Sequence, residues 1–195
     1  MARRQGRWLP PAATALQLKI TLKDIRPPIW RRVLVPDNYS LGELHGIIQV
    51  AMGWENCHMH AFRIGDAEYV SQDTGDPRDP ELKDEDRAML RTVIGRAKQK
   101  FVYEYDFGDS WIHDILVEKV LPFDPQGQYP LCLAGARACP PEDCGSVPGY
   151  YRILEAMQAP RKTAEQKELL EWLGGEYDPA GFDIEAVNEW LSGKP

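Results

Sequence analysis

The segment FVYEYDFGDSWIHDI, residues 101–115, decides the fold class. Phe101, Tyr103, Tyr105 and Phe107 alternate with Val102, Glu104 and Asp106, the two-residue period of a strand with one buried face. Gly108-Asp109 supplies a tight turn and Ile112 to Val120 reads as the returning strand, so Phe101 to Leu121 forms a long hairpin. A two-residue loop sets Tyr105 opposite Ile112 and Glu104 opposite His113; a bulge would shift that register by one. The Asp-Phe-Gly triplet has the letters of a kinase magnesium motif. No Gly-rich loop, paired lysine or catalytic loop precedes it, which removes kinase chemistry.

Outward toward the N-terminus, Leu16, Leu18, Ile20 and Leu22 alternate with Gln17, Lys19, Thr21 and Lys23, again a half-buried strand. Pro27 and Pro28 break the chain before a second strand, Ile29 to Val35, giving a first hairpin with an irregular connection. Ser40-Leu-Gly-Glu43 is a capping box. Leu41, Leu44, Ile47, Ile48, Ala51 and Met52 then form one helical stripe that stops at Gly53. A short strand follows over Ala61–Ile64. Residues 71–87, charged and holding two Asp-Pro steps, suit an exposed loop, and Leu90, Val93, Ile94 and Ala97 fit a short helix.

Toward the C-terminus, residues 122–149 are rich in Pro, Gly and Cys and show no period. Three short helices follow, carrying Tyr150, Ile153, Leu154 and Met157; then Leu169, Leu170 and Leu173 after a Thr163–Gln166 capping box; then Ile184, Val187 and Leu191 after Asp183. The expected architecture is α+β: a hairpin–helix–hairpin core sheet of ubiquitin-like flavour with a helical C-terminal flank. Residues 1–15 read as a flexible basic arm and 16–195 as one domain, without internal repeats.

The 195 residues, 43% hydrophobic and 27% charged, suffice for a real core. A net charge of −7 opposes phosphate backbones unless a local basic patch works against it. No signal peptide or membrane-length apolar run is visible, so the chain is read as cytoplasmic, with its four cysteines reduced.

Four groups of residues could carry chemistry. Cys132, Cys139 and Cys144 sit on an irregular loop and could bind zinc with His113, His58 or His60 as fourth ligand. They lack the close pairs of zinc knuckles, and the plainer reading makes them small buried hydrophobes. His58 and His60 would share a strand face and reach one metal, although hydrogen-bonded core histidines are commoner. Asp106 and Asp109 form a polar turn near Asp114 and His113, a general-base arrangement or a satisfied hydrogen-bond pair. Arg26, Arg31 and Arg32 flank Trp30, a nucleic-acid feature that equally decorates a solvated edge strand. Nucleophile elbow, Walker, Rossmann and zincin motifs are absent.

Several motifs in order resemble a known family. Ile25-Arg-Pro-Pro-Ile-Trp-Arg-Arg-Val33, Gly53-Trp54 leading to His58-Met-His60, Tyr103 to Trp111, Gly135 to Asp143, and Trp172-Leu-Gly-Gly with Phe182-Asp183 are similar to the plasmid pRiA4b Orf-three-like proteins, over roughly Leu16 to Leu191. The resemblance implies an α+β fold and a passenger role on mobile elements. Its frequent resolvase-type label is not matched, because the N-terminal arginines lack a nucleophilic serine and the C-terminal helices carry Glu165, Glu168, Glu171 and Glu176. The expected function is a non-enzymatic module that binds a protein or nucleic-acid strand between the aromatic hairpin and the cysteine loop. The alternative is a metal-dependent hydrolase on the His/Cys cluster, with Asp106 or Asp109 as base.

Overall fold

The computed structural model describes residues 11–73 and 81–193. The first hairpin is β1 (Thr14–Leu22) against β2 (Trp30–Pro36), and the second is β6 (Lys100–Tyr105) against β7 (Trp111–Pro122). Between them come α1 (Leu41–Met52), β3 (His60–Ile64), β4 (Ala67–Val70), β5 (Leu82–Asp84) and α2 (Leu90–Val93). After them come β8 (Leu131–Ala136), α3 (Ser146–Gln158), α4 (Ala164–Leu173) and α5 (Ile184–Leu191). The strands join in one sheet, ordered β5-β4-β3-β6-β7-β1-β2-β8. Every pairing is antiparallel except β4 with β5.

The two expected hairpins therefore form the sheet's centre, with β1 beside β7, and α1 packs its stripe into the same core as Leu16, Leu18, Ile20 and Leu22. The Ser40 hydroxyl accepts from the Glu43 amide at 3.1 Å while the Glu43 carboxylate accepts from the Ser40 amide at 2.8 Å. That closes the capping box. Gly53 ends the helix at φ 101°.

Four features depart from the sequence reading. The arm ends earlier, because Thr14 and Ala15 belong to β1. The Asp37 carboxylate accepts from the Ala13 and Thr14 amides and the Thr14 hydroxyl, anchoring the strand's start; residues 1–10 lie outside the described region. The β6–β7 register is shifted by one, with Tyr105 opposite Trp111 and Tyr103 opposite His113. The connection spans 106–110, closed by an Asx turn in which the Asp106 carboxylate accepts from the Gly108 amide at 2.9 Å. The aperiodic stretch 122–149 holds a strand, β8, which pairs with β2 through a bulge between Arg32 and Val33. Finally, within the charged stretch 71–87, Leu82–Asp84 forms β5; residues 74–80 lie outside the described region.

Among the described residues no helix is long and apolar enough to cross a membrane.

Candidate functional site

The six sequence-designated metal ligands are divided among separate places. Among the described residues, no three of them bring ligand atoms within 4.8 Å of one another. His113, on β7, is fully buried. Its Nε2 accepts from the Trp54 indole at 3.2 Å, which leaves the proton on Nδ1, facing the Tyr103 carbonyl at 3.3 Å. Burial holds this imidazole neutral, its pKa lowered to about 4. His60, on β3, pairs with buried Glu85 at 2.8 Å and stacks on His45 with ring centroids 3.5 Å apart.

His45 was not singled out by sequence, since it sits on a helix stripe as one polar residue. The Gln49 amide donates to the Tyr103 hydroxyl at 2.8 Å, that hydroxyl donates to His45 Nδ1 at 2.7 Å, and His45 Nε2 donates to Asn56 Oδ1 at 2.7 Å. Every donor in this chain meets one acceptor. Burial, with His60 adding to it, lowers the His45 pKa to about 4, while burial raises that of the Tyr103 phenol. This aromatic–amide–imidazole network is a satisfied core.

The loop cysteines are also interior. Cys132 lies on β8, where the Asn188 side chain of α5 clasps its backbone, accepting from the amide at 2.7 Å and donating to the carbonyl at 3.0 Å. Cys139 and Cys144 are buried in the same apolar core. Burial raises all three thiol pKa values, that of Cys144 to about 12.

The arginine group is likewise dispersed. Arg31 is interior, its guanidinium on backbone carbonyls. Arg32 makes a two-point pair with Glu118 at 2.6 and 2.9 Å, and that pair holds the Glu118 carboxyl down to about 2. The charged groups of Lys19 and Arg32 stand 5.2 and 5.1 Å from the centre of the Trp30 ring. The Arg26 amide donates to the Tyr151 hydroxyl.

One end of the sheet gathers polar groups from three loops. His58 stands between acids: its Nδ1 is 3.9 Å from Asp106 Oδ1, and its Nε2 is 3.8 Å from Glu142 Oε2 and 3.1 Å from Asp143 Oδ1. Glu142 is anchored by one oxygen alone. Oε1 accepts from the Tyr105 hydroxyl at 2.9 Å and the Glu55 amide at 2.8 Å. Glu142 Oε2 and His58 Nε2 are buried atoms without a hydrogen-bond partner. The Cys57 amide donates to the Tyr105 hydroxyl at 3.1 Å, and the Asp109 carboxylate accepts from the Gly145 amide at 3.0 Å, tying the turn to the cysteine loop. Non-glycine residues at positive φ occur on all three loops: Asn56, Asp106, Ser110 and Asp143. Of the residues chosen from sequence, His58, Asp106 and Asp109 meet here. Cys57, Glu142 and Asp143 are the members that sequence reasoning missed, although Glu142 and Asp143 belong to the Gly135–Asp143 motif.

Comparison with known proteins places the chain in a family. It belongs to the plasmid pRiA4b ORF-3-like proteins, whose profile matches residues 14–186. It is 36% identical over 182 residues to the uncharacterized protein y4hQ of Sinorhizobium fredii, covering 91% of this chain and 90% of that one. The crystal structure of a protein of unknown function from Methanosarcina mazei Go1 is similar at a TM-score of 0.81 and 35% identity, covering 91% of this chain and 98% of that chain.

Proposed function

We propose that this family member is a non-enzymatic protein-interaction module of the cytoplasm, carried as a mobile-element passenger, whose binding end is the three-loop cluster around His58. One observation carries the reading: large apolar side chains stand exposed beside a buried acidic group. Met59 is 46% and Phe107 43% exposed, and they lie on two loops joined by the hydrogen bond from the Asp106 amide to the Met59 carbonyl. An exposed apolar pair beside acids suits a partner segment that is itself apolar and basic. Four free cysteines support a reducing compartment, and the plasmid in the family's description supports the passenger setting.

A protein partner is favoured over nucleic acid. Glu55, Asp106, Asp109, Glu142 and Asp143 crowd this end and repel phosphate, while Arg31 and Arg32 are occupied internally. The test is fluorescence anisotropy with labelled basic–apolar peptides, acidic peptides and single-stranded DNA, all in the presence of chelator. Basic–apolar peptides should bind with an affinity that falls as salt rises, and a Met59→Ser/Phe107→Ser double variant should weaken them at least about tenfold. Peptide binding indifferent to those two residues, or salt-sensitive DNA binding in its place, overturns the reading.

A further inference from the structure

Glu142 and His58 present a specific anomaly. A carboxylate whose Oε1 has two donors, the Tyr105 hydroxyl and the Glu55 amide, has a buried second oxygen with none. The nearest imidazole nitrogen, His58 Nε2, is equally buried and makes no hydrogen bond; it stands 3.8 Å from that oxygen and 3.1 Å from Asp143 Oδ1. Buried polar atoms are nearly always satisfied, and two such atoms 3.8 Å apart point to a common partner. A third ligand atom is already present. Cys57 Sγ, one His58 ring nitrogen and one Glu142 oxygen lie within 4.8 Å of each other.

We propose that Cys57, His58 and Glu142 hold one zinc-class divalent ion. Tetrahedral zinc needs bonds of about 2.0–2.3 Å, hence ligand atoms roughly 3.3–3.8 Å apart, so the loops need only draw in slightly. The donor set selects the metal class: a thiol sulfur with an imidazole and a single carboxylate favours zinc over magnesium or calcium, which take oxygen ligands. As the sulfur–metal bond forms, the Cys57 thiol releases its proton to solvent. Asp106 stands behind His58 on the Nδ1 side, where a carboxylate orients a metal-bound imidazole. Asp106 is therefore a positioning residue. Tyr105 holds Glu142 in place and, with its hydroxyl 3.7 Å from Cys57 Sγ, keeps the sulfur beside it. Three protein ligands leave a fourth position beside Asp143, whose side chain is 71% exposed. The inference goes beyond the interaction reading and does not depend on it, since no partner is needed for the ion to bind.

Cobalt titration of the reduced full-length chain tests it. One equivalent of Co²⁺ should bind and give a thiolate-to-cobalt charge-transfer absorption that Zn²⁺ abolishes. Cys57→Ser should lose that absorption, and Cys132→Ser should retain it. Glu142→Gln should weaken binding at least about tenfold, and Asp106→Asn about 10–100-fold. Binding of less than about a tenth of an equivalent overturns the proposal, as does an absorption that survives Cys57→Ser or a Glu142→Gln affinity equal to wild type. Should Glu142→Gln fail to fold, Zn²⁺ must raise the melting temperature of the wild type and not that of Cys57→Ser; equal shifts overturn the site. Because the peptide titrations are run with chelator, failure of the metal site and failure of the interaction surface are separately visible.

Discussion

Arg31 shows how one side chain can look functional in sequence and be structural in the fold. It is 2% exposed, and all five of its N–H groups meet backbone carbonyls. Nε donates to Ala51 at 2.6 Å and Nη2 to Met52 at 3.4 Å, capping the last carbonyls of α1 with a cation where the helix dipole favours one. The remaining donors reach Trp30, Ala136 and Arg137, which fixes the end of β8 against β2. The Phe182 ring covers the guanidinium at 4.0 Å. Arg31→Met therefore removes every donor and strands interior carbonyls, and we expect a loss of about 3 kcal/mol or more in urea unfolding. A loss below about 1 kcal/mol would contradict this role. Its position was legible in principle. On β2 it shares the inward face with Val33 and Val35, whereas Trp30 and Arg32 face outward, so alternation separates Arg31 from the arginines beside it.

At the scale of elements, the entry to α3 depends on a missing side chain. A Cβ on Gly149 would lie 1.8 Å from the Cys144 carbonyl oxygen, with backbone rather than a flexible side chain in the way. Gly149→Ala must displace the cysteine loop from the helix, at a cost of about 1–3 kcal/mol; chemical denaturation at wild-type stability would refute the contact. Elements with strong periodicity were readable from sequence. β1 and α1 announce themselves by alternation and by a capping box, and α5 by its Asp183 cap. β8 was not, because an edge strand bonded to β2 alone can be built from Leu-Cys-Leu-Ala-Gly-Ala, which has no alternation to detect. β4 and β5, at 4 and 3 residues, are too short to show a period. The β6–β7 register slipped by one because the Asp106 side chain builds a longer turn than Gly-Asp alone implies. The same limit governs the site: His58 and Asp106 are visible as chemistry-bearing types, but their meeting with Glu142 is a tertiary event. It is fixed by Tyr105, whose hydroxyl reaches both loops.

For the molecule as a whole, the buried histidines make stability depend on pH. His45 and His113 have their pKa values lowered from 6.5 to about 4 by burial, so the folded state keeps both neutral where the unfolded chain protonates them. The native network requires those tautomers: His113 Nε2 must accept from Trp54, and His45 Nδ1 must accept from Tyr103. A depressed imidazole pKa contributes nothing above about pH 6.5, where neither state binds the proton. Below that, the unfolded state binds more protons, and stability falls with pH until the folded-state pKa is reached. At about 1.4 kcal/mol per unit, each group removes on the order of 3 kcal/mol by pH 4, a large share of the stability of an ordinary domain. His45 stacks on His60, itself paired with Glu85, so part of its effect is shared with that pair. His113 stands apart, enclosed by Trp54 and Tyr103. Denaturant unfolding at a series of pH values should therefore show stability flat above about pH 7 and falling between 6.5 and 4. In His113→Gln, whose amide can accept from Trp54 and donate to the Tyr103 carbonyl without titrating, the slope over that window should be roughly halved. An unchanged slope in His113→Gln would show that the acid sensitivity originates elsewhere.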